Sequence, residues 1–241
     1  MKALTILVVS LSLMGLTHAQ PKYNTGNKLY PSLQAYLQNA EKDFKTIPKE
    51  RKEQLQKVAL YINTKLNTEK KVSLLFICTH NSRRSHMGQL WATAAAEYYG
   101  IIGVNNYSGG TEMTAFNERA VKSMVKAGFV ITKTTEDANP KYASKYGEGL
   151  PEIISFSKKY TDEPNPTSNY AAIMTCSQAD KNCPIVYGAT ARISVPYDDP
   201  KEADGKPNET QIYDERCKQI ATEILYTFSL LKLKNNPNAL Q

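Results

Sequence analysis

Cys78 closes an apolar run, Val72–Ile77, and is followed at a fixed distance by Arg84 and Ser85. A thiol attacks only as its thiolate, a small fraction at neutral pH when the pKa is the ordinary value of about 8.5. Main-chain amides and a guanidinium close by favour ionisation. Arg84 carries a planar fork of donors suited to two oxygens of a tetrahedral oxyanion, and the Ser85 hydroxyl is placed to donate to the sulfur. The chemistry these residue types suit is nucleophilic attack by sulfur on a tetrahedral oxyanion. A lone cysteine at a strand end is often just a small buried hydrophobe. Burial alone, however, does not call for an arginine and a serine at this spacing.

A second pair, Cys176 and Cys183, brackets the segment 177–182. If that segment is helical, the cysteine Cα atoms stand about 10 Å apart, whereas a disulfide needs roughly 5.5–6 Å. Bonding therefore requires the segment to loop or unwind, and a segment with one form reduced and another oxidised is a switch. In an exported chain the same pair can simply be a staple. Asp199-Pro200, taken alone, reads as a turn. Cys78, His80 and His86 lie close together but lack the second ligand pair of a structural zinc site, so no metal or other cofactor is expected. His86 is expected to face solvent or the helix start, and Cys217 to be a packing residue.

Positioning these residues is the work of the elements around them. The apolar run, the polar turn from Cys78 to Ser85 and the helix formers that follow predict strand, loop and helix. Successive N–H groups then point into one concavity at a helix N-terminus, where an anion is attracted. The helix runs from Ser85 to Tyr99 and stops at Gly100. A strand is expected over Val104–Ser108, a turn at Gly109-Gly110, and a helix capped by Asn117 that runs through Ala127 to Gly128. Ala171–Thr175 reads as a buried strand delivering Cys176, and Asn208–Lys232 as a long closing helix. This alternation predicts an α/β fold with a parallel sheet, helices on both faces and ligands at the carboxyl ends of the strands. Between them, Thr132–Ser168 is broken by prolines and glycines and reads as a long surface excursion, with Ile153–Phe156 as a short strand or turn. Ahead of the sheet, Leu33–Ile47 and Lys49–Asn67 read as two helices split by Pro48. The second puts Leu55, Val58, Ala59, Ile62 and Leu66 on one face, suited to packing on the core.

A length of 241 residues with 41% hydrophobic content favours one domain with an appendage. Residues 1–19 have the lysine, apolar run and small residues of a secretory signal peptide. Residues 20–70 form a tether and helical extension, 71–234 the main domain, and 235–241 a tail. The expected product is exported, periplasmic or secreted, with no transmembrane segment after cleavage. Loss of Lys2 with the leader lowers the formal charge from +7 to +6, which suits small anions. The lysines are scattered, with no basic stripe interleaved with aromatics, so no nucleic-acid partner is expected.

Cys-x-x-x-x-x-Arg-Ser after a hydrophobic strand resembles the phosphate loop of the low-molecular-weight protein tyrosine phosphatase superfamily, which includes the thioredoxin-coupled arsenate reductases. The resemblance spans about Lys71 to Lys232 and implies a parallel four-stranded sheet. Cys78, Asn81, Arg84 and Ser85 match the motif, whereas His80 replaces a usual glycine and Arg83 a frequent second cysteine. A side chain at that glycine position is expected to crowd the loop. The implied oxyanion-binding set is Thr79, His80, Asn81, Ser82, Arg83, Arg84 and Ser85.

Cys176-Ser-x-Ala-Asp-x-x-Cys183-Pro resembles the redox segment that the arsenate reductases have and the plain phosphatases lack. The resemblance implies attack by Cys78 on arsenate, then by Cys176 on Cys78, then by Cys183 on Cys176, with a thioredoxin-like protein as reductant. It also implies that Asp199 is the general acid, with Asp198 and the bound oxyanion favouring its protonated form. Lys201 and Glu202 stand where the phosphatases usually carry aromatics. The leading expectation is an exported arsenate-reductase-like enzyme. The alternatives are a phosphatase acting on phosphotyrosine or small phosphate monoesters through a cysteinyl-phosphate, and a non-enzymatic oxyanion-binding or redox-sensing module.

Overall fold

The computed structural model describes residues 28–182 and 185–234. The expected leader, the start of the tether, Cys183 and the C-terminal tail lie outside the described residues. Helix α1 is Pro31–Glu41 and α2 is Lys49–Glu69, separated by a 3-10 turn at Phe44–Thr46. Proline marks both starts: Pro31 lies in the first turn of α1 and Pro48 is the N-cap of α2, positions where a missing N–H costs nothing. The helix expected over Leu33–Ile47 is thus cut short at Glu41.

Strand β1, Val72–Cys78, leads into α3, Arg84–Tyr98, then β2, Val104–Gly110, and α4, Glu118–Lys126. The short strands β3 (Val130–Lys133), β4 (Tyr142–Lys145) and β5 (Ile153–Ser155) follow. The chain ends with β6 (Tyr170–Met174), α5 (Ser177–Asn182), β7 (Ala189–Ser194) and α6 (Glu209–Lys234). The main sheet has the order β2-β1-β6-β7 and is parallel throughout. Strand β7 has no expectation attached to it in the sequence; its alternation is weak and most of its residues are half-buried.

Central β1 is buried on both faces, which explains its unbroken apolar run. Leu74 and Phe76 belong to the larger core with residues of α2, α3 and α6. Leu75, Ile77 and Cys78 join a smaller cluster with Met174, Cys176 and Ala179 on the other face, beside α5. Each such leucine or isoleucine, when fully buried, contributes roughly 1.5–3 kcal/mol, so the strand carrying Cys78 is anchored along its length. Gly88 lets α3 come close: a Cβ there would lie 2.6 Å from the Phe76 ring.

Two expectations need correction. Gly109-Gly110 is not a turn but the end of β2, paired with Ile77 and Cys78. A third backbone crowds it, since a Cβ on Gly109 would meet Tyr160 Cα at 2.5 Å, and only glycine admits that approach. Nor is Thr132–Ser168 a plain surface excursion. It contributes most of a three-stranded antiparallel sheet, β3-β4-β5, and its later part is tied to β2 through a bridge from Lys159 to Gly110. Prolines and glycines limit its strands to three or four residues, too few for the alternation to register in the sequence.

Candidate active site

Strand pairing aligns Cys78 with Gly110 and Ile77 with Met174, so the loop after β1 opens between the carboxyl ends of β2 and β6. Its carbonyls are bound outwards. Thr111 N donates to Cys78 O at 3.1 Å, Glu112 N to Thr79 O at 2.8 Å and Asn117 N to Ser82 O at 2.9 Å. Ser157 Oγ donates to His80 O at 2.9 Å. In none of these bonds is an N–H of residues 79–84 the donor, which leaves those amides for an anion ahead of α3. The result is an anion cradle of the kind expected from loop and helix start.

Asn81 alone in the loop has positive φ, 42°, which asparagine tolerates better than most residues. Its side chain then orders the nucleophile. Lys158 N donates to Asn81 Oδ1 at 2.9 Å, which fixes the amide so that Nδ2 donates to Ser85 Oγ at 2.8 Å. With that oxygen already accepting from Asn81, the Ser85 proton is free to be given to a Cys78 thiolate, whose Sγ lies 3.1 Å away. The expected hydroxyl-to-sulfur contact is therefore present, together with the residue that sets its direction.

Arg84 is buried, with Nη1 donating to Tyr197 O at 2.9 Å and Nη2 to Asp199 Oδ2 at 2.6 Å. Its buried Nε has no partner among the described residues, so its N–H is available to a bound oxyanion. Asp199 caps the 3-10 turn Pro200–Ala203, accepting from Lys201 N at 3.1 Å, so the Asp-Pro turn and the site coincide. Asp198 does not act on it as expected. That side chain is 94% exposed and pairs with Arg216 at 3.2 Å, while the charges beside Asp199 are cationic, Arg84 at 2.6 Å and Arg83 at 4.0 Å.

Several side chains of the expected oxyanion set face elsewhere. Arg83 donates to Tyr213 Oη at 2.7 Å and lies 3.5 Å from Asp204. His80 does not crowd the loop: it takes no positive φ and its imidazole lies 3.3 Å from Glu112 at the surface. Thr79 Oγ1 lies 3.4 Å from Cys176 Sγ. The side chains of Thr79, His80, Asn81 and Arg83 are thus engaged with other residues.

Cys176 is buried in the same cluster as Cys78. Its sulfur accepts from Ala179 N at 3.3 Å in addition to its Thr79 contact, and Thr175 N donates to Ile77 O at 2.7 Å. Cys78 thus ends β1 and Cys176 follows two residues after the end of the adjacent β6, with Thr79 in contact with its sulfur. Residues 177–182 are helical. Cys217 packs in the core as expected, and burial pushes its thiol up to about 12. His86, expected at solvent, is buried: its ring stacks on Phe116 at 4.1 Å with Nδ1 3.2 Å from Ser108 Oγ. Burial, with the charge of Lys158 in support, holds it well below the usual histidine value.

Sequence reasoning missed Lys158, Ser157 and Gly110. Lys158 is 3% exposed, and burial pushes its amine down to about 8 against a smaller opposing effect of Asp162. Only long-range pairing brings these residues to the loop, and no local pattern marks them.

A parallel sheet with a cysteine, an anion cradle and an arginine at its carboxyl edge defines a sulfur nucleophile for oxyanions. The curated arsenate reductase of Bacillus licheniformis is 29% identical over 160 residues, covering 66% of this chain and 96% of that protein. Arsenate reductase 2 of Staphylococcus haemolyticus is 30% identical over 139 residues, covering 57% and 82%. The chain belongs to the low-molecular-weight protein tyrosine phosphatase superfamily, close to its arsenate reductases, and is an enzyme of that kind. Among solved structures, a YwlE mutant from Bacillus subtilis is similar at 15% identity and TM-score 0.46, covering 67% of this chain and 99% of that one. The thioredoxin-dependent arsenate reductase of Corynebacterium glutamicum is similar at 18% identity and TM-score 0.38, covering 74% and 71%. No family model matches the chain.

Proposed function

We propose that the protein is an exported arsenate reductase working through Cys78, Cys176 and Cys183. The observation that carries this reading is the Cys176 sulfur 3.4 Å from the hydroxyl of Thr79, the residue next to the nucleophile. A phosphatase mechanism does not require a second thiol there. The Cys78 thiolate attacks arsenate, and the oxygen it displaces leaves as water with a proton from Asp199, which the charge of the arriving oxyanion favours in its protonated form against the pull of Arg84 and Arg83. The Cys176 thiolate then attacks Cys78 Sγ. The S–As bond breaks, its electron pair stays on arsenic, and arsenite departs as a Cys78–Cys176 disulfide forms. Cys183, as thiolate, attacks Cys176 and releases Cys78, and an external thioredoxin-like dithiol reduces the resulting disulfide.

During binding, the amides of residues 79–85 and the Arg84 guanidinium take the oxyanion. Residues 1–19 serve as the leader, which puts the reaction in the periplasm or outside the cell. No helix among the described residues is long and apolar enough to cross a membrane. The test uses mature protein with arsenate and a thioredoxin system, and separately with an aryl phosphate. Arsenite production that is lost in Cys176→Ser and in Cys183→Ser supports the relay. Phosphate release that needs Cys78 and survives both changes, without arsenite, replaces it with phosphatase action. N-terminal sequencing of the exported protein should begin at Gln20; an intact Met1 on soluble cytoplasmic protein refutes the export part.

A further inference from the structure

The two helices ahead of β1 lie outside the stretch that resembles the superfamily, yet α2 reaches the site. Its Arg51 is largely buried and every side of the guanidinium is engaged. Nε is 2.7 Å from Glu223 Oε2 on α6, Nη1 donates to Gln54 Oε1 at 2.8 Å, and Nη2 donates to Pro196 O at 3.0 Å. The same guanidinium stands 4.6 Å over the Tyr197 ring, a separation at which a cation and an aromatic face attract. Pro196 and Tyr197 are the lead-in to Asp199. On the other side of this short segment, the Tyr197 carbonyl accepts from Arg84, which also holds Asp199. Tyr197 N in turn donates to Thr175 O, beside Cys176.

We propose that Arg51 is a positioning residue for the general acid: the N-terminal extension clamps the backbone at Pro196-Tyr197 and so fixes the reach of Asp199. The inference rests on the reading of Asp199 as the acid that protonates the departing oxygen. A fork that bonds a carboxylate and a carbonyl while stacking on a ring cannot be copied by lysine, whose ammonium is a single flexible point charge. Misplacing a proton donor by an ångström costs on the order of a hundredfold or less in rate, and a loosened clamp is the milder case.

The experiment uses the full mature chain as wild type, Arg51→Lys, the doubly apolar Arg51→Met/Glu223→Leu, and Asp199→Asn. The double variant removes both buried charges together and so avoids leaving Glu223 buried and unpaired. Turnover is measured on aryl phosphates graded from strongly acidic nitrophenols to phenol as leaving group. A protonated acid in place makes the rate nearly independent of the phenol, and loss of the acid makes it steep. The expected result is a steep dependence in Asp199→Asn and an intermediate one in both Arg51 variants, about tenfold down on phenyl phosphate with nitrophenyl turnover nearly unchanged. A protein merely destabilised loses the same factor on every ester. A steep Asp199→Asn profile with flat Arg51 profiles overturns the inference and leaves the acid in place; a flat Asp199→Asn profile overturns the acid reading and this inference with it. If no aryl phosphate is turned over, hydrogen exchange of residues 196–204 decides. Exchange about tenfold faster in Arg51→Lys sustains the clamp, and unchanged exchange overturns it.

Discussion

Replacing Lys158 with methionine tests the electrostatics behind the phosphate loop. The lysine is buried at 3% exposure, its Nζ donates to Phe156 O at 3.4 Å and lies 4.7 Å over the Phe156 ring. Burial lowers its pKa from 10.5 to about 8, although Asp162 pulls the other way. Such a drop corresponds to about 3 kcal/mol by which the fold disfavours the ammonium. The sign follows from proton binding: between pH 8 and 10.5 the unfolded chain holds the proton and the folded one has lost it, so stability rises with pH there. Below pH 8 both states are charged and the penalty is complete. Lys158→Met should therefore stabilise the protein at pH 7 by about 3 kcal/mol at most, on the order of 5–10 °C in Tm for a chain of this size. The advantage over wild type should shrink from pH 8 and vanish above 10.5. Thermal or urea unfolding of both proteins from pH 7 to 11 measures it, and taking differences cancels the high-pH ionisation of tyrosines. A gain that persists undiminished at pH 11, or no gain at pH 7, refutes the reasoning. The backbone N–H that holds Asn81 is kept in this variant, so the loop geometry should be unchanged.

Gly110→Ala would place a Cβ 2.3 Å from Glu112 O and 2.7 Å from Asn81 N; oxyanion affinity by calorimetry should fall by tenfold or more, on the order of a misplaced cradle. Arg84→Lys keeps the charge but loses the fork between Tyr197 O and Asp199, and arsenate turnover should fall about 10²–10³-fold. In the native protein at pH 8, iodoacetamide should label Cys78 before Cys217, whose buried thiol is pushed up to about 12; labelling of Cys217 first, read by mass spectrometry, contradicts the packing described. Asn117→Ala removes a side-chain cap on Arg119 N and Ala120 N and should cost about 1 kcal/mol by urea unfolding. Its main-chain N–H still holds Ser82, so oxyanion affinity should stay.

Legibility in the sequence tracks the range of the interaction. The nucleophile, its serine and the strand that leads to them are encoded between Val72 and Ser85, because an apolar run, a polar loop and a helix start are local properties of the chain. Asn117 and Gly128 bracket α4 for the same reason: a cap and a left-handed stop depend on neighbours two to four positions away. What the sequence does not display is orientation. His86 lies one residue past Ser85 on a helix with scarcely any polar face, since α3 is buried along most of its length, and periodicity has no purchase on a helix that is enclosed. Asp198 and Asp199 are adjacent and chemically alike, yet the capping of Pro200–Ala203 turns one inward to two arginines and leaves the other in water.

Lys158 and Arg51 show the remaining limit. Both are ordinary basic residues in polar stretches, 77 and 145 positions from the partners that define them, and only the closing of β2 against residues 158–160 and of α2 against α6 gives them a role. Charges drawn into a fold at such distances are costly unless geometry repays the desolvation. Arg51 has its repayment in Glu223, Gln54, Pro196 and the Tyr197 ring. Lys158 has far less, a 3.4 Å bond to Phe156 O and the Phe156 ring, and burial accordingly pushes its amine down to about 8.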